Sequence, residues 1–269
     1  MIKDITIGQY FPGNSVLHRL DPRTKILLTV AYIVLLFITK RLIGLAVAGL
    51  FMLMVVLLSR ISLKTVLKSI KPLLFIILFT AVLQMIYGGG EPLFPTVSWL
   101  SWLSWKGVRN AIFMAVRIVL LVVGTSFMTY TTSPIMLTNA LESLMNPLKY
   151  IKVPVHEFAM MMTIALRFIP TLVDETDKIM NAQKARGADF ETGNIFRRAK
   201  ALIPILVPLL ISAFRRAEEL ADAMECRCYH GGKGRTKYRI YHFALRDLWA
   251  ALIVAAMFAV IIIINIGII

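Results

Sequence analysis

Acidic side chains are scarce in this chain: 15 Asp and Glu stand against 30 Lys and Arg, and charged residues of all kinds make up only 17% of 269 positions. Hydrophobic residues reach 58%, above the roughly 45–50% of soluble domains, so a single soluble globule is excluded. Cysteine is nearly absent. Cys226 and Cys228 are too few for a disulfide framework. The four histidines, His18, His156, His230 and His242, fall in no HExxH or other metal-ligand spacing, and no P-loop is present. The first 25 residues carry Lys3, Asp4, Arg19, Asp21, Arg23 and Lys25 and lack a compact apolar run before a small-residue cleavage site, so they do not read as a signal peptide.

What is present is length of apolar run. A bilayer core about 30 Å thick needs roughly 20 apolar residues in a helix, and five stretches approach or reach that. They are Ile26–Thr39, short unless Thr24 and the snorkelling Lys25 and Lys40 extend it; Leu42–Ser59; Leu73–Tyr87, between Pro72 and Gly88-Gly89-Gly90; Val108–Thr131; and Leu248–Ile269, interrupted only by Asn265. The first two are predicted to form a tight helical pair. The predicted fold is all-α: a polytopic membrane protein with about five transmembrane helices and long cytoplasmic helices. Its parts are an N-terminal cytoplasmic segment (1–25), transmembrane helices 1–4 (26–132), a cytoplasmic or interfacial region (133–246) and a C-terminal transmembrane helix (247–269).

Charge orients this arrangement. With the amino terminus inside, the loop Arg60 to Lys71 also falls inside, and 25 of the 30 cations lie on the cytoplasmic side, four of them in that loop and 17 in the long segment after the fourth span. Four fall outside, and Arg117 stays within a span. The asymmetry follows the positive-inside rule and explains the basic composition without nucleic acid as a partner.

The long segment opens with Ser133-Pro134, an N-cap followed by proline at the first helical position. Leu137, Leu141, Leu144 and Leu148 then recur at helical spacing opposite Thr138, Asn139, Glu142 and Asn146. This predicts a short amphipathic helix along the inner membrane surface or against another helix. Two apolar half-lengths follow, Phe158–Ile169 and Leu202–Phe214, the latter containing Pro204 and Pro208. Twelve residues reach only about 18 Å, too short to span. Their apolar surface needs protein cover, either from one another and the spans or from a partner. The adaptable Met160-Met161-Met162 cluster, with Leu166, Leu206, Leu209 and Leu210, suits a platform for another membrane protein.

Each half-length runs into a charged helical half. The first reaches Gln183-Lys184-Ala185-Arg186-Gly187, where Gly187 suits the position after a helix end. The second carries an apolar stripe of Ala217, Leu220, Ala221, Met224 and Cys228, allows an Arg215–Glu219 pair, and reaches Cys226-Arg227-Cys228-Tyr229 before Gly231-Gly232 breaks it. Shifting Arg186 onto Arg227, an offset of 41, brings Ala182 onto Ala223 and Asp177 onto Glu218. Two Arg between small residues at two helix ends read either as solvated surface or as two equivalent prongs for two similar partners, since arginine presents a rigid charged fork to carboxylates.

Together these residues resemble the transmembrane T component of energy-coupling factor (ECF) transporters, importers of the ATP-binding cassette class. The likeness runs through Leu20-Asp21-Pro22-Arg23-Thr24-Lys25, Arg167-Phe168-Ile169-Pro170, Gln183 to Gly187, Ala221-Asp222-Ala223-Met224-Glu225 and Arg235-Thr236-Lys237-Tyr238, in order along nearly the whole chain. The resemblance implies a non-catalytic subunit of a prokaryotic plasma membrane. In that family two Ala-Arg-Gly-like motifs end coupling helices and dock in two cytoplasmic ATPases, which bind ATP and Mg. Ala185-Arg186-Gly187 matches that motif, whereas Cys226-Arg227-Cys228 departs from it at both flanks. The platform would meet a membrane-embedded S component that delivers a vitamin or micronutrient. No cofactor is expected in this chain.

Other chemistry weighs less. Cys226 and Cys228 with His230 invite a zinc reading, but residues two apart on a helix point about 200° from each other. His156 beside Glu157 starts a helix, where a structural role fits better than catalysis. Arg117 with Gln84 and Asn110 forms an intramembrane polar set. It supports an alternative, a self-contained secondary transporter or channel, unless Arg117 snorkels or ties two spans together. A membrane enzyme is a weaker reading, since no nucleophile, base and oxyanion arrangement is recognisable.

Overall fold

The computed structural model describes residues 10–87, 89, 104–190, 194–232 and 241–267. Among them run nine α-helices: α1 (Pro22–Ile38), α2 (Leu42–Ser59), α3 (Leu63–Ile70), α4 (Leu74–Tyr87), α5 (Trp105–Thr131), α6 (Pro134–Leu144), α7 (Val155–Ala185), α8 (Ile195–Glu225) and α9 (Leu245–Ile266). They divide into two compact units. One gathers residues 10–137 and 241–267, the other residues 138–232.

In the first unit, α2, the stretch Leu63–Tyr87, α5 and α9 are long and apolar enough to cross a membrane. The protein is a multi-pass, all-α membrane protein. At 17 residues α1 reaches only about 26 Å, just under the hydrocarbon thickness. Caps fix the starts. Asp21 accepts the Arg23 N–H ahead of Pro22, Ser62 accepts the Thr65 N–H, and Ser104 accepts the Gly107 N–H. Two expectations change here. The segment 60–71 is not a loop: Ser62 starts α3, and a 3₁₀ turn over Lys71–Leu73 carries the chain into α4. Pro72 lies in the first positions of that turn, where its missing N–H breaks no helical ladder. Nor do α1 and α2 form a tight pair. Both pack chiefly on α5 and α9, meeting each other through Tyr32 and Phe51 at 6.3 Å between ring centroids. Both helices are apolar all round, so no stripe in their sequences selects the partner.

The core of this unit collects Tyr32, Leu35 and Leu36 of α1, Leu45, Ala48 and Met52 of α2, Leu120, Val123 and Phe127 of α5, and Met257 and Ile261 of α9. Gly124 permits the closest approach, since a Cβ there would lie 2.6 Å from the Tyr32 ring. Polar residues inside the spans secure helix ends. Arg117 donates to the Thr39 carbonyl and stacks over Phe113 at 4.5 Å, so it ties α5 to the end of α1. Asn265 accepts the Lys40 N–H and donates to the Ile38 carbonyl. At the opposite end of α1, buried Asp247 accepts the N–H groups of Asp21 and Ala244 through its two oxygens. Buried Lys25 donates to the carbonyls of Thr131 and His18 and to the Thr132 hydroxyl.

Ser133 caps α6 through the Met136 N–H, as Ser133-Pro134 predicts. The expected apolar face is not the covered one: Thr138 and Ala140 are buried and Leu141 is exposed. The small Ala140 and Thr138 allow close approach where leucine does not. In the second unit α7 and α8 are each 31 residues long, about 46 Å, so each apolar half-length and its charged half form one continuous helix.

Candidate functional site

The two long helices end alike. At the end of α7 the Gly187 N–H bonds to the Lys184 carbonyl and the Ala188 N–H to the Gln183 carbonyl, with Gly187 at φ +86°. At the end of α8 the Cys228 N–H bonds to the Glu225 carbonyl and the Tyr229 N–H to the Met224 carbonyl, with Cys228 at φ +55°. Both are Schellman motifs, and Arg186 and Arg227 hold the same position in each, directly before the left-handed residue. The offset of 41 legible in the sequence is therefore a repeat of structure. Ala185, Arg186, Gly187, Cys226, Arg227 and Cys228 are all exposed. A cation at this position also sits favourably at the negative end of the helix dipole.

The helix α8 stops earlier than the glycine pair suggests. Its end is made at Cys228, not at Gly231-Gly232, because Cys228 takes the left-handed conformation that Gly187 takes in the first motif. For the same reason the two thiols do not share a helix, so the geometric objection to zinc loses its premise; among the described residues no group of three potential ligands surrounds them. A side chain in the left-handed region is strained by about 1 kcal/mol. Cys228→Gly is expected to slow exchange of the Tyr229 amide hydrogen about threefold, and Gly187→Ala to speed exchange at Ala188 by a similar factor. Hydrogen exchange read by mass spectrometry checks both. A Cβ on Gly187 meets nothing within 4 Å, so any effect there is of the backbone alone.

The helices are joined about two-thirds of the way along each. The Glu175 carboxylate accepts the Ser212 hydroxyl through one oxygen and the Arg216 guanidinium, at 2.9 Å, through the other. The Ser212 hydrogen bond, helped by Arg216 and the charge of Lys178, holds the Glu175 carboxyl below its ordinary range. The contribution of this junction is thus present above the ordinary carboxylate range and falls away only as pH drops through the lowered value. Glu175 and Arg216 are themselves 41 apart. Arg186 lies 11 residues beyond the one and Arg227 11 residues beyond the other, about 16 Å along each helix. Sequence reading missed this junction, although the same offset applied to Glu175 points at Arg216. At the start of α7, His156 pairs with Glu142 at 3.0 Å, a structural contact.

The apolar halves carry little cover. Phe158, Met161 and Met162 are each 53% exposed, and Leu206 and Leu210 are about half exposed. Met160, Leu166 and Leu209 are half-buried. Bare apolar area on this scale marks an interaction surface for lipid or protein. Of the remaining motifs, Leu20 to Lys25 is structural, with Leu20, Asp21, Thr24 and Lys25 buried. Arg235 to Tyr238 lies outside the described residues.

The family described as CbiQ, cobalt transport protein, matches residues 13–238. The protein named energy-coupling factor transporter transmembrane protein EcfT in Clostridium kluyveri is 54% identical over 254 residues, 94% of this chain and 93% of that one. Its namesake in Ruminiclostridium cellulolyticum is 53% identical over 249 residues, 92% of both chains. That of Bacillus subtilis is 47% identical over 239 residues, covering 89% and 90%.

Proposed function

Because the chain belongs to this family, that of the EcfT transmembrane components of energy-coupling factor transporters, we propose that it couples two cytoplasmic ATPases to a membrane-embedded S component. The observation that carries the reading is the pair of exposed, identically built helix ends bearing Arg186 and Arg227. A guanidinium on a rigid tip, flanked by Ala185 and Gly187 or by Cys226 and Cys228, enters a groove without obstruction and pairs with a carboxylate there. Two like tips suit two like grooves. The ATPases bind ATP and Mg, and this chain supplies neither nucleotide site nor catalytic group.

The apolar halves of α7 and α8 form the surface for the S component. Met160, Met161 and Met162 with Leu166, Leu206, Leu209 and Leu210 present flexible, featureless apolar contact. A partner that reorients in the bilayer slides over such a surface more easily than over one of fixed polar pairs. The cargo is a vitamin or another micronutrient. The charge asymmetry supports an amino terminus and tips on the cytoplasmic face of a prokaryotic plasma membrane.

The test is a mild-detergent pull-down from the native membrane, with mass spectrometry and uptake assays in liposomes. The expected result is co-purification of two ATPases and one or more small membrane proteins, with no uptake by the isolated chain. Recovery of the chain alone, with uptake in the absence of ATPases, would establish a self-contained transporter instead. Arg117 is a poor centre for such a path, being tied to the Thr39 carbonyl and the Phe113 ring.

A further inference from the structure

A cavity of about 330 Å³ opens between α1, α2, α5 and α9 in the membrane unit, at the lower end of the range for small-molecule sites. Its walls are polarised along the helix axes. Lys25 and Arg246 line one end, while Tyr32, Phe51, Gly124 and Ile253 line the other. Lys25 to Tyr32 and Arg246 to Ile253 are each seven residues, about two helical turns or 10 Å. The cavity is therefore a narrow apolar slot about two turns deep, with cations at one end.

Three observations select the occupant. First, the charge at the mouth is unevenly engaged. The Lys25 ammonium is held by two carbonyls and the Thr132 hydroxyl, and buried Asp21 and Asp247 lie close to it with their carboxylates on backbone N–H groups. Arg246 is exposed and has no hydrogen bond or ion pair among the described residues, leaving a fork suited to a phosphate. Second, the far end is lined by Tyr32, 5% exposed, Phe51, Gly124 and Ile253, with no charged side chain, the surroundings a hydrocarbon chain requires. Third, a helix is about 10 Å across, too wide for a space of this volume, whereas a single hydrocarbon chain enters it. An apolar slot stays free of water, and the bilayer offers acyl chains at high concentration. Trp249, on the wall and 63% exposed, is the side chain expected at headgroup level.

We propose that this slot binds one acyl chain of an anionic phospholipid whose phosphate rests on Arg246, as a specific site distinct from the general lipid annulus. Native mass spectrometry of the detergent-purified transporter complex tests it, with phosphatidylglycerol, phosphatidylcholine and glycerol 3-phosphate as probes. Wild type is expected to retain one phosphatidylglycerol per chain in about tenfold preference to phosphatidylcholine and to retain no glycerol 3-phosphate. Arg246→Gln, on the exposed rim, should erase the preference. Ala250→Phe and Leu58→Trp, which fill the slot from two walls, should abolish retention of both lipids while the complex stays assembled. Either filling variant suffices if the other does not fold. Equal retention of both lipids by wild type, unchanged retention by a folded filling variant, or glycerol 3-phosphate binding alone overturns the proposal.

Discussion

Reversing both tip charges, Arg186→Glu with Arg227→Glu, is expected to strip the ATPases from the complex and leave the membrane protein folded. A charge pair buried at an interface costs 2 kcal/mol or more when one partner is lost, about 30-fold in affinity, and reversal adds repulsion from the facing carboxylate. The effect at two sites on two subunits compounds, because each ATPase also loses the benefit of its neighbour's attachment. Single reversals should release one ATPase more readily than the other or weaken both, and Arg→Lys should restore only part of the binding, since lysine lacks the planar fork. Both arginines are exposed at helix ends, so the unfolding temperature of the isolated chain should not move. A pull-down followed by mass spectrometry reads the first outcome and a thermal melt the second. An intact complex from the double variant would remove the arginines from the docking role.

Asp247→Ala should cost the membrane unit about 3 kcal/mol or more and lower its unfolding temperature in detergent by about 10 °C. Both carboxylate oxygens are committed, one to the Asp21 N–H and one to the Ala244 N–H. The residue thus starts α9 and fixes the entry to α1 at once. Its removal leaves buried donors unsatisfied and withdraws a negative charge from beside buried Lys25. Asp247→Asn distinguishes the contributions. An amide keeps one acceptor and the shape but places an NH₂ against the second N–H, so its loss should be intermediate. A melt within a degree of wild type for the alanine variant would show that water replaces the carboxylate.

The sequence speaks most clearly where a local rule and a burial pattern agree. Ser133-Pro134 specifies the start of α6, Gly187 the end of α7, and the long apolar runs of α2, α5 and α9 their nature as spans. It speaks less clearly where tertiary contact decides. α3 is concealed because Lys64, Lys68 and Pro72 read as an interhelical loop, and only the Ser62 cap marks its beginning. The partners of α1 and α2 are concealed because helices apolar on every face carry no directional stripe. Asp247 lies in plain view as an acid at the head of the last span, yet its link to Asp21 crosses 226 positions of chain. Of the candidate site, the two arginines and their offset are legible; the left-handed turn at Cys228 is not, since cysteine is an unusual choice where glycine fits.

The junction of Glu175 with Ser212 and Arg216 sets the mechanics of the pair. It stands the same 11 residues from Arg186 on one helix and from Arg227 on the other, so the two arms from junction to tip are equal in length. When either helix swings about it, a given angle carries either tip through the same arc: roughly 3 Å for every 10° on an arm of about 16 Å. If the tips dock on two ATPases as proposed, and these close by equal amounts, such a pair of arms would neither favour nor lag either of them. An insertion or deletion between junction and tip on one helix would unbalance the throw while leaving both arginines in place.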